Sequence, residues 1–205
     1  MALLYMGLPF SHWQDEPFWR AEDKRLTRAF AQCGQPVSAL NSGVAGHAIC
    51  QEAGWDDTFV TTGPALPERD FLSDAVYWED FLFLYISASA AMGPETYSRF
   101  VTEAARQAAD NGLFVVADQR RQARNKEWQA YAHLTWSEEE RPLPRQGNCR
   151  LSLAVRAGRV QIAGPSFSAY PSDRDGISFM PPFLCALLAG KTLADAVRTG
   201  THESE

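Results

Sequence analysis

Apolar residues along this chain fall into short blocks separated by turn-forming residues, and the blocks alternate between strand-like and helix-like spacing. Ala2 to Met6 is a short apolar run closed by Gly7 and Pro9, which predicts a buried strand opening an α/β sheet. From Glu16 to Gln32, the residues Phe18, Trp19, Leu26, Ala29 and Phe30 recur at mostly helical spacings, and Cys33-Gly34 stops the helix. Val37 to Leu40 follows as a strand. Gly46 to Ala53 reads as a short helix closed by Gly54, and Thr58 to Thr62 as a β-branched strand. Gly63 to Asp70 carries two prolines and reads as a loop. Phe81 to Ile86 is apolar throughout, a pattern that fits a strand or a buried helix equally well.

The clearest helix places Tyr97, Phe100, Val101, Ala104, Ala105 and Ala108 on one face, with Pro94 as its first residue and Asn111-Gly112 as its C-cap. Leu113 to Ala117 is then a fully apolar strand ending at Asp118. That helix-to-strand step has the form of a crossover unit in a parallel sheet, whose ligands bind beyond the carboxyl ends of the strands. Leu151 to Val155 and Arg159 to Ile162 flank Ala157-Gly158 as a hairpin. Pro165 to Gly176, rich in Pro, Ser, Asp and Gly, reads as a loop leading to a helix from about Ser178 to Ala189. A last helix, Thr192 to Arg198, has Thr192 as N-cap with Asp195 three residues on, and the tail after Gly200 reads as frayed.

Composition narrows the class. At 205 residues the chain is expected to form a single domain spanning 1–205, and 45% hydrophobic with 21% charged residues is too apolar for disorder. A formal charge of -6, with scattered Lys and Arg, argues against a nucleic-acid partner, which needs concentrated positive surface. Cys33, Cys50, Cys149 and Cys185 form no C-x-x-C pair, and His12, His47, His133 and His202 show no ligand spacing, so a zinc site is not indicated. No stretch approaches the roughly 18 to 20 apolar residues of a membrane span. The first residues lack a basic leader, so the expected location is cytoplasmic.

The C-terminal third resembles the end of a ribokinase-like (PfkB) small-molecule kinase. In that family a Gly-Ala-Gly-Asp loop opens a helix of the form S-F-x-x-G-F-L-x-A-L-L-x-G, followed by a helix beginning S/T-L-x-x-A. Ser178-Phe179-Met180 through Phe183-Leu184-Cys185-Ala186-Leu187-Leu188-Ala189-Gly190 and Thr192-Leu193-Ala194-Asp195-Ala196 match both. Further segments follow in the family's order. Gly158-Arg159-Val160 with Pro165 is similar to the hairpin before the catalytic loop, and Ala132 to Glu140 to the strand with an N-x-x-E element. Val115 to Asp118 with Arg121, Arg124 and Trp128 is similar to V-x-x-D-x-N-x-R-x-x-x-W. Gly34 to Val60, with Ala53-Gly54-Trp55-Asp56, is similar to the G-x-D-x-x-G helix and the G-V-D turn. The resemblance implies a three-layer αβα fold, Rossmann-like, with a central mostly parallel sheet flanked by helices. The chain is shorter than such kinases, which implies a reduced or absent β lid and the loss of one or more αβ units.

The resemblance also implies where the chemistry would lie. Phosphoryl transfer to a hydroxyl needs a base for that hydroxyl and donors for the transferring phosphate. Position by position, Gly-Ala-Gly-Asp becomes Arg174-Asp175-Gly176-Ile177, so the alkyl Ile177 stands where the base should be. Asp175, two residues earlier, is the substitute catalytic candidate, and its plainer role is to cap the next helix. Arg174, Gly176, Ser178 and Asp118 are the implied contacts to ATP. Pro181-Pro182 fits only a first helical turn, which puts the helix start near Met180 and moves the anion hole. Glu140, the final Glu of Ser137-Glu138-Glu139-Glu140, is the implied Mg2+ contact, although the same four residues also spell a capping box. The family's Gly-Gly signature is replaced by Glu22-Asp23-Lys24-Arg25-Leu26, and Gly43-Val44-Ala45-Gly46 lacks the Asp of G-x-D-x-x-G.

Two readings follow. One is a degenerate ribokinase-like protein, a pseudokinase that binds a small molecule or a protein partner; a homodimer through an edge left by a missing lid is part of it. The other is an active, divergent kinase for a sugar or nucleoside, using ATP and Mg2+ with Asp175 as base.

Overall fold

The structure is a computed structural model and describes residues 2–7, 17–35, 37–42, 56–61, 76–92, 95–120 and 127–201. Nine strands among these residues form one sheet: β1 (Ala2–Met6), β2 (Val37–Ser42), β3 (Asp56–Thr61), β4 (Phe81–Ile86), β5 (Phe114–Asp118), β6 (Leu134–Ser137), β7 (Leu151–Arg156), β8 (Arg159–Ala163) and β9 (Phe167–Tyr170). Their spatial order is β3-β2-β1-β4-β5-β6-β7-β8-β9. All pairings from β3 through β7 are parallel, and β8 and β9 add on antiparallel. The helices are α1 (Pro17–Gln32), α2 (Glu95–Asp110), α3 (Gly176–Leu188) and α4 (Leu193–Thr201).

The side-chain period of two explains why the strands are apolar throughout. Leu3 and Tyr5 of β1, Phe83 and Tyr85 of β4, and Leu153 and Val155 of β7 point to one face, where they meet Trp19, Leu26 and Phe30 of α1 and Phe179 and Phe183 of α3. Leu4, Met6, Leu84, Ile86, Val115 and Ala117 point to the other, against Tyr97, Phe100, Val101, Ala104 and Ala108 of α2. Both faces are covered, so a buried side chain such as Phe30 contributes about 1.5–3 kcal/mol and neither face tolerates polar residues without partners. This is the three-layer, mostly parallel αβα sheet that the resemblance implied. The ambiguous block Phe81–Ile86 is a strand, because both of its faces are buried between β1 and β5. Every described strand belongs to this one sheet.

Two expectations need correction. Phe167–Tyr170, placed in a loop, is the edge strand β9, paired with β8. The helix expected to start near Met180 begins at Gly176, and Pro181 and Pro182 lie inside it. Pro182 cannot donate to the Ser178 carbonyl; that oxygen faces the Arg174 guanidinium at 3.5 Å, a weak substitute. The Thr192 cap holds as expected: Asp195 N donates to Thr192 Oγ1 at 3.2 Å, and Thr192 Oγ1 donates to Asp195 Oδ2 at 2.6 Å. The Gly46–Ala53 helix, the Gly63–Asp70 loop and Pro94 lie outside the described residues.

Candidate functional site

In the strand order the chain steps outward from β1 to β2 and β3, then resumes on the other side of β1 with β4. The carboxyl ends of β1 and β4 therefore border the topological switch point, where open α/β sheets hold ligands. In this chain that crevice holds a carboxylate of its own. Asp23 of α1 is fully buried and accepts from Tyr5 Oη at 2.6 Å, Ser87 Oγ at 2.8 Å and Ser89 Oγ at 2.7 Å. Burial, then the charge of Asp23, pushes the Tyr5 phenol well above its ordinary range, so it stays a donor. Gly7, at the end of β1, has no room for a side chain: a Cβ there would lie 2.6 Å from Asp23 Oδ2. Tyr97 of α2 closes the other side, its hydroxyl donating to the Gly7 carbonyl at 2.8 Å. Asp23 was not among the candidate site residues, although its spacing from Trp19, Leu26 and Phe30 sets it on the buried stripe of α1.

Asp118 stands at the carboxyl end of β5, as expected, but it is not open. Arg120 donates to it from Nε at 3.1 Å and from Nη2 at 2.8 Å, and reaches Glu22 Oε1 through Nη1 at 3.1 Å. The same guanidinium lies 4.7 Å above the centre of the Trp136 ring and 3.9 Å from Glu138. Three carboxylates thus surround one buried arginine. Burial, offset in part by Arg120 and reinforced by Asp118 and Glu22, raises the Glu138 carboxyl. Glu22 Oε2 and Ser137 Oγ are buried with no hydrogen-bond partner among the described residues.

At the entrance to α3, Asp175 is the N-cap. Its Oδ1 accepts from Ser178 N at 2.8 Å, and Arg25 of α1 donates to its Oδ2 at 2.9 Å and to Ser178 Oγ at 2.9 Å. Burial alone would raise this carboxyl; the bonds from Ser178 and Arg25 outweigh it and hold Asp175 below the usual carboxylate range. Ile177 packs into the core at 5% exposure and offers nothing to the loop. Gly176 begins the helix against the Trp136 indole, which a side chain at 176 would strike. Arg174 completes the loop. Asp175, Ser178, Arg174 and Ile177 line a cavity of about 1090 Å³ together with Arg25 and Arg28.

The structure thus brings Asp175, Ser178 and Arg174 together and adds Arg25, which sequence reading had not singled out. Glu140 is separate. It is 90% exposed and faces Arg156 at 3.9 Å beside a second cavity of about 490 Å³. The capping-box reading of Ser137–Glu140 fails, because no helix follows; residues 138–141 form bends. Among the described residues no group of three or more acidic, His or Cys side chains is placed to hold a metal ion. A guanidinium beside Glu140 and another saturating Asp118 do not fit Mg2+. The Ser178 N–H that a phosphate would use at the α3 terminus is taken by Asp175, so the residues present do not fit the ATP phosphates there in this arrangement.

No family model matches the chain, and no curated protein matches it in sequence. Solved structures do match in shape. A PfkB protein from Polaromonas sp. JS666 superposes with a TM-score of 0.67 at 14% identity, covering 98% of this chain and 93% of that one. Adenosine kinase from Sinorhizobium meliloti gives 0.64 at 12% identity, covering 98% and 91%. Arabidopsis thaliana ribokinase complexed with ribose and ATP gives 0.61 at 10%, also covering 98% and 91%. The chain has the ribokinase-like fold of the PfkB carbohydrate kinases.

Proposed function

We propose that this protein is a degenerate member of the ribokinase-like (PfkB) family that binds a small anionic ligand and transfers phosphate poorly or not at all. The observation that carries this reading is the engagement of Asp175. A general base must have its carboxylate aimed at the substrate hydroxyl and a pKa near the working pH. Asp175 instead caps Ser178 N, is paired with Arg25, and is pushed further from that pKa by both. Ile177, two residues on, is buried hydrocarbon. The cavity beside them carries Arg25, Arg28 and Arg174, which suit an anionic group.

A second reading rests on one observation. Asp175 is held in its ionised form and is 48% exposed at the mouth of that cavity, so release of Arg25 would free a carboxylate for use as a base in an active sugar or nucleoside kinase.

A thermal-shift screen with ATP, ADP, inorganic phosphate and sugar phosphates, with and without Mg2+, separates the readings when run beside an assay of ATP consumption over sugars and nucleosides. A ligand at 100 times its dissociation constant adds about 2.7 kcal/mol, which such a screen detects. Binding without turnover is the expected result. Hydroxyl-dependent ATP consumption that Asp175→Asn abolishes would establish the active kinase instead.

A further inference from the structure

β6 and β7 are parallel neighbours, a pairing whose connection ordinarily crosses one face of the sheet as a helix. Here residues 138–150 make the crossing in bends and turns, with no helix. Ser152 Oγ donates to Leu143 O at 2.8 Å, so the loop lies on the face of β7 that carries Ser152, Ala154 and Arg156. Without a helix that face is only partly covered, and a cavity of about 490 Å³ opens between the loop and the β7–β8 hairpin. Its size is that of small-molecule sites, roughly 300–1,000 Å³. Leu153, Val155, Val160 and Ile162 point the opposite way, into the core beneath α1 and α3, so this cavity and the one beside Asp175 lie on opposite faces of the sheet.

Strand register places the polar groups. Arg156 faces Arg159, and Ala154 faces Gln161, across the hairpin, all on the cavity side. Two like charges directly opposite each other are unfavourable unless an anion stands between them. Arg156 has only Glu140 at 3.9 Å, too far for a hydrogen bond, and the guanidiniums of Arg159 and Arg141 have no partner among the described residues. Deeper in, Gln161 is 4% exposed and its Oε1 is buried without a hydrogen-bond partner, an arrangement that folding disfavours unless a donor meets it. With Glu139 and Glu140, the lining sets three guanidiniums against two carboxylates, an excess of one positive charge. We propose that this cavity is a second ligand site, independent of the Asp175 loop, and that it takes an acidic α-amino acid. The two carboxylates of such a ligand suit the forked guanidiniums of Arg141, Arg156 and Arg159. Its ammonium supplies the donor that Gln161 Oε1 and the Glu140 carboxylate lack. Its single net negative charge balances the lining.

Calorimetric titration of the full chain with L-glutamate and L-aspartate tests this. Saturable binding at millimolar concentration is expected, with glutarate, which has both carboxylates and no ammonium, about tenfold weaker than L-glutamate. Arg159→Ala, at an exposed hairpin position, should weaken L-glutamate about tenfold while the chain stays folded. Gln161→Met, similar in size and lacking the unpartnered oxygen, should weaken it comparably while the thermal midpoint without ligand holds or rises. The proposal is overturned if neither amino acid binds saturably, or if glutarate binds as tightly as L-glutamate. Binding that survives both substitutions unchanged would also overturn it, since the ligand would then sit elsewhere.

Discussion

Arg120 holds Asp118 in a two-pronged grip, with Nε at 3.1 Å and Nη2 at 2.8 Å, and both side chains are almost fully enclosed. A buried carboxylate at the end of a central strand is tolerable only while this partner remains. Removing the arginine leaves an uncompensated charge, and the family-like aspartate turns from a structural anchor into a liability.

Arg120→Ala should therefore cost about 3–5 kcal/mol, measured by urea unfolding at neutral pH. Asp118→Asn/Arg120→Met together should cost markedly less than the sum of the single changes, since neither is then left charged and alone. A loss below 1 kcal/mol for Arg120→Ala would show that water reaches Asp118.

Gly176→Ala tests the seat of α3. Helix propensity favours the alanine by up to about 1 kcal/mol, but its Cβ would strike Trp136. That indole cannot swing aside: its Nε1 donates to Tyr85 Oη at 3.0 Å and Arg120 covers its face. Overpacking should win, with a net loss of about 1–2 kcal/mol in thermal or urea unfolding. Trp136→Phe, which removes the clashing ring, should make the alanine tolerable.

Asp175→Ala should cost about 1 kcal/mol at pH 7, the usual worth of an N-cap; the half-exposed pair with Arg25 adds little after solvent screening. The pKa of Asp175 is depressed in the folded chain. Its contribution is thus complete above the unfolded carboxylate value near ~3.9 and drains away as pH falls through the lower folded value. The stability gap between variant and parent should shrink in acid. A gap independent of pH would show that the carboxylate acts only as a neutral cap.

His133 should make the chain acid-sensitive at a milder pH. Its Nδ1 accepts from Val115 N at 3.0 Å, which requires a neutral ring, and burial, helped by Arg150, lowers its pKa. With the folded value below the unfolded value near ~6.5, the stabilisation is complete above that unfolded value and lost as pH falls through the folded one. His133→Gln should flatten the stability profile in this window. NMR titration should place the ring below the ordinary histidine range.

The order of strands and helices was largely legible because each central strand is apolar on both faces and each helix repeats at 3.6. β9 was not: Phe167-Ser168-Ala169-Tyr170 is four residues long, its faces alternate between exposed and half-buried, and only its pairing with β8 makes it a strand. The start of α3 was misplaced because two prolines argue locally for a first turn, while the Asp175 cap and Gly176 packing extend the helix ahead of them. At the site, Asp175, Ser178 and Arg174 were visible from the resemblance, but their partner Arg25 lies 150 residues away in the chain. Asp23 carried a readable sign, an acidic residue on an apolar stripe. Its hydroxyl partners Tyr5, Ser87 and Ser89 come from two other segments that no local pattern joins to it.

The first strand made is an interior one, third from the β3 edge of the sheet. Leu3 lies opposite Val37 on one side and Phe83 on the other, so β1 has no second neighbour until the ribosome has passed residue 86. Until then one whole edge of Ala2–Met6, apolar throughout, is open to any other nascent chain, and parallel pairing over such distances is slow. Fragments ending before β4 should precipitate rather than fold, and synthesis of this protein should lean on chaperones early, well before α3 emerges.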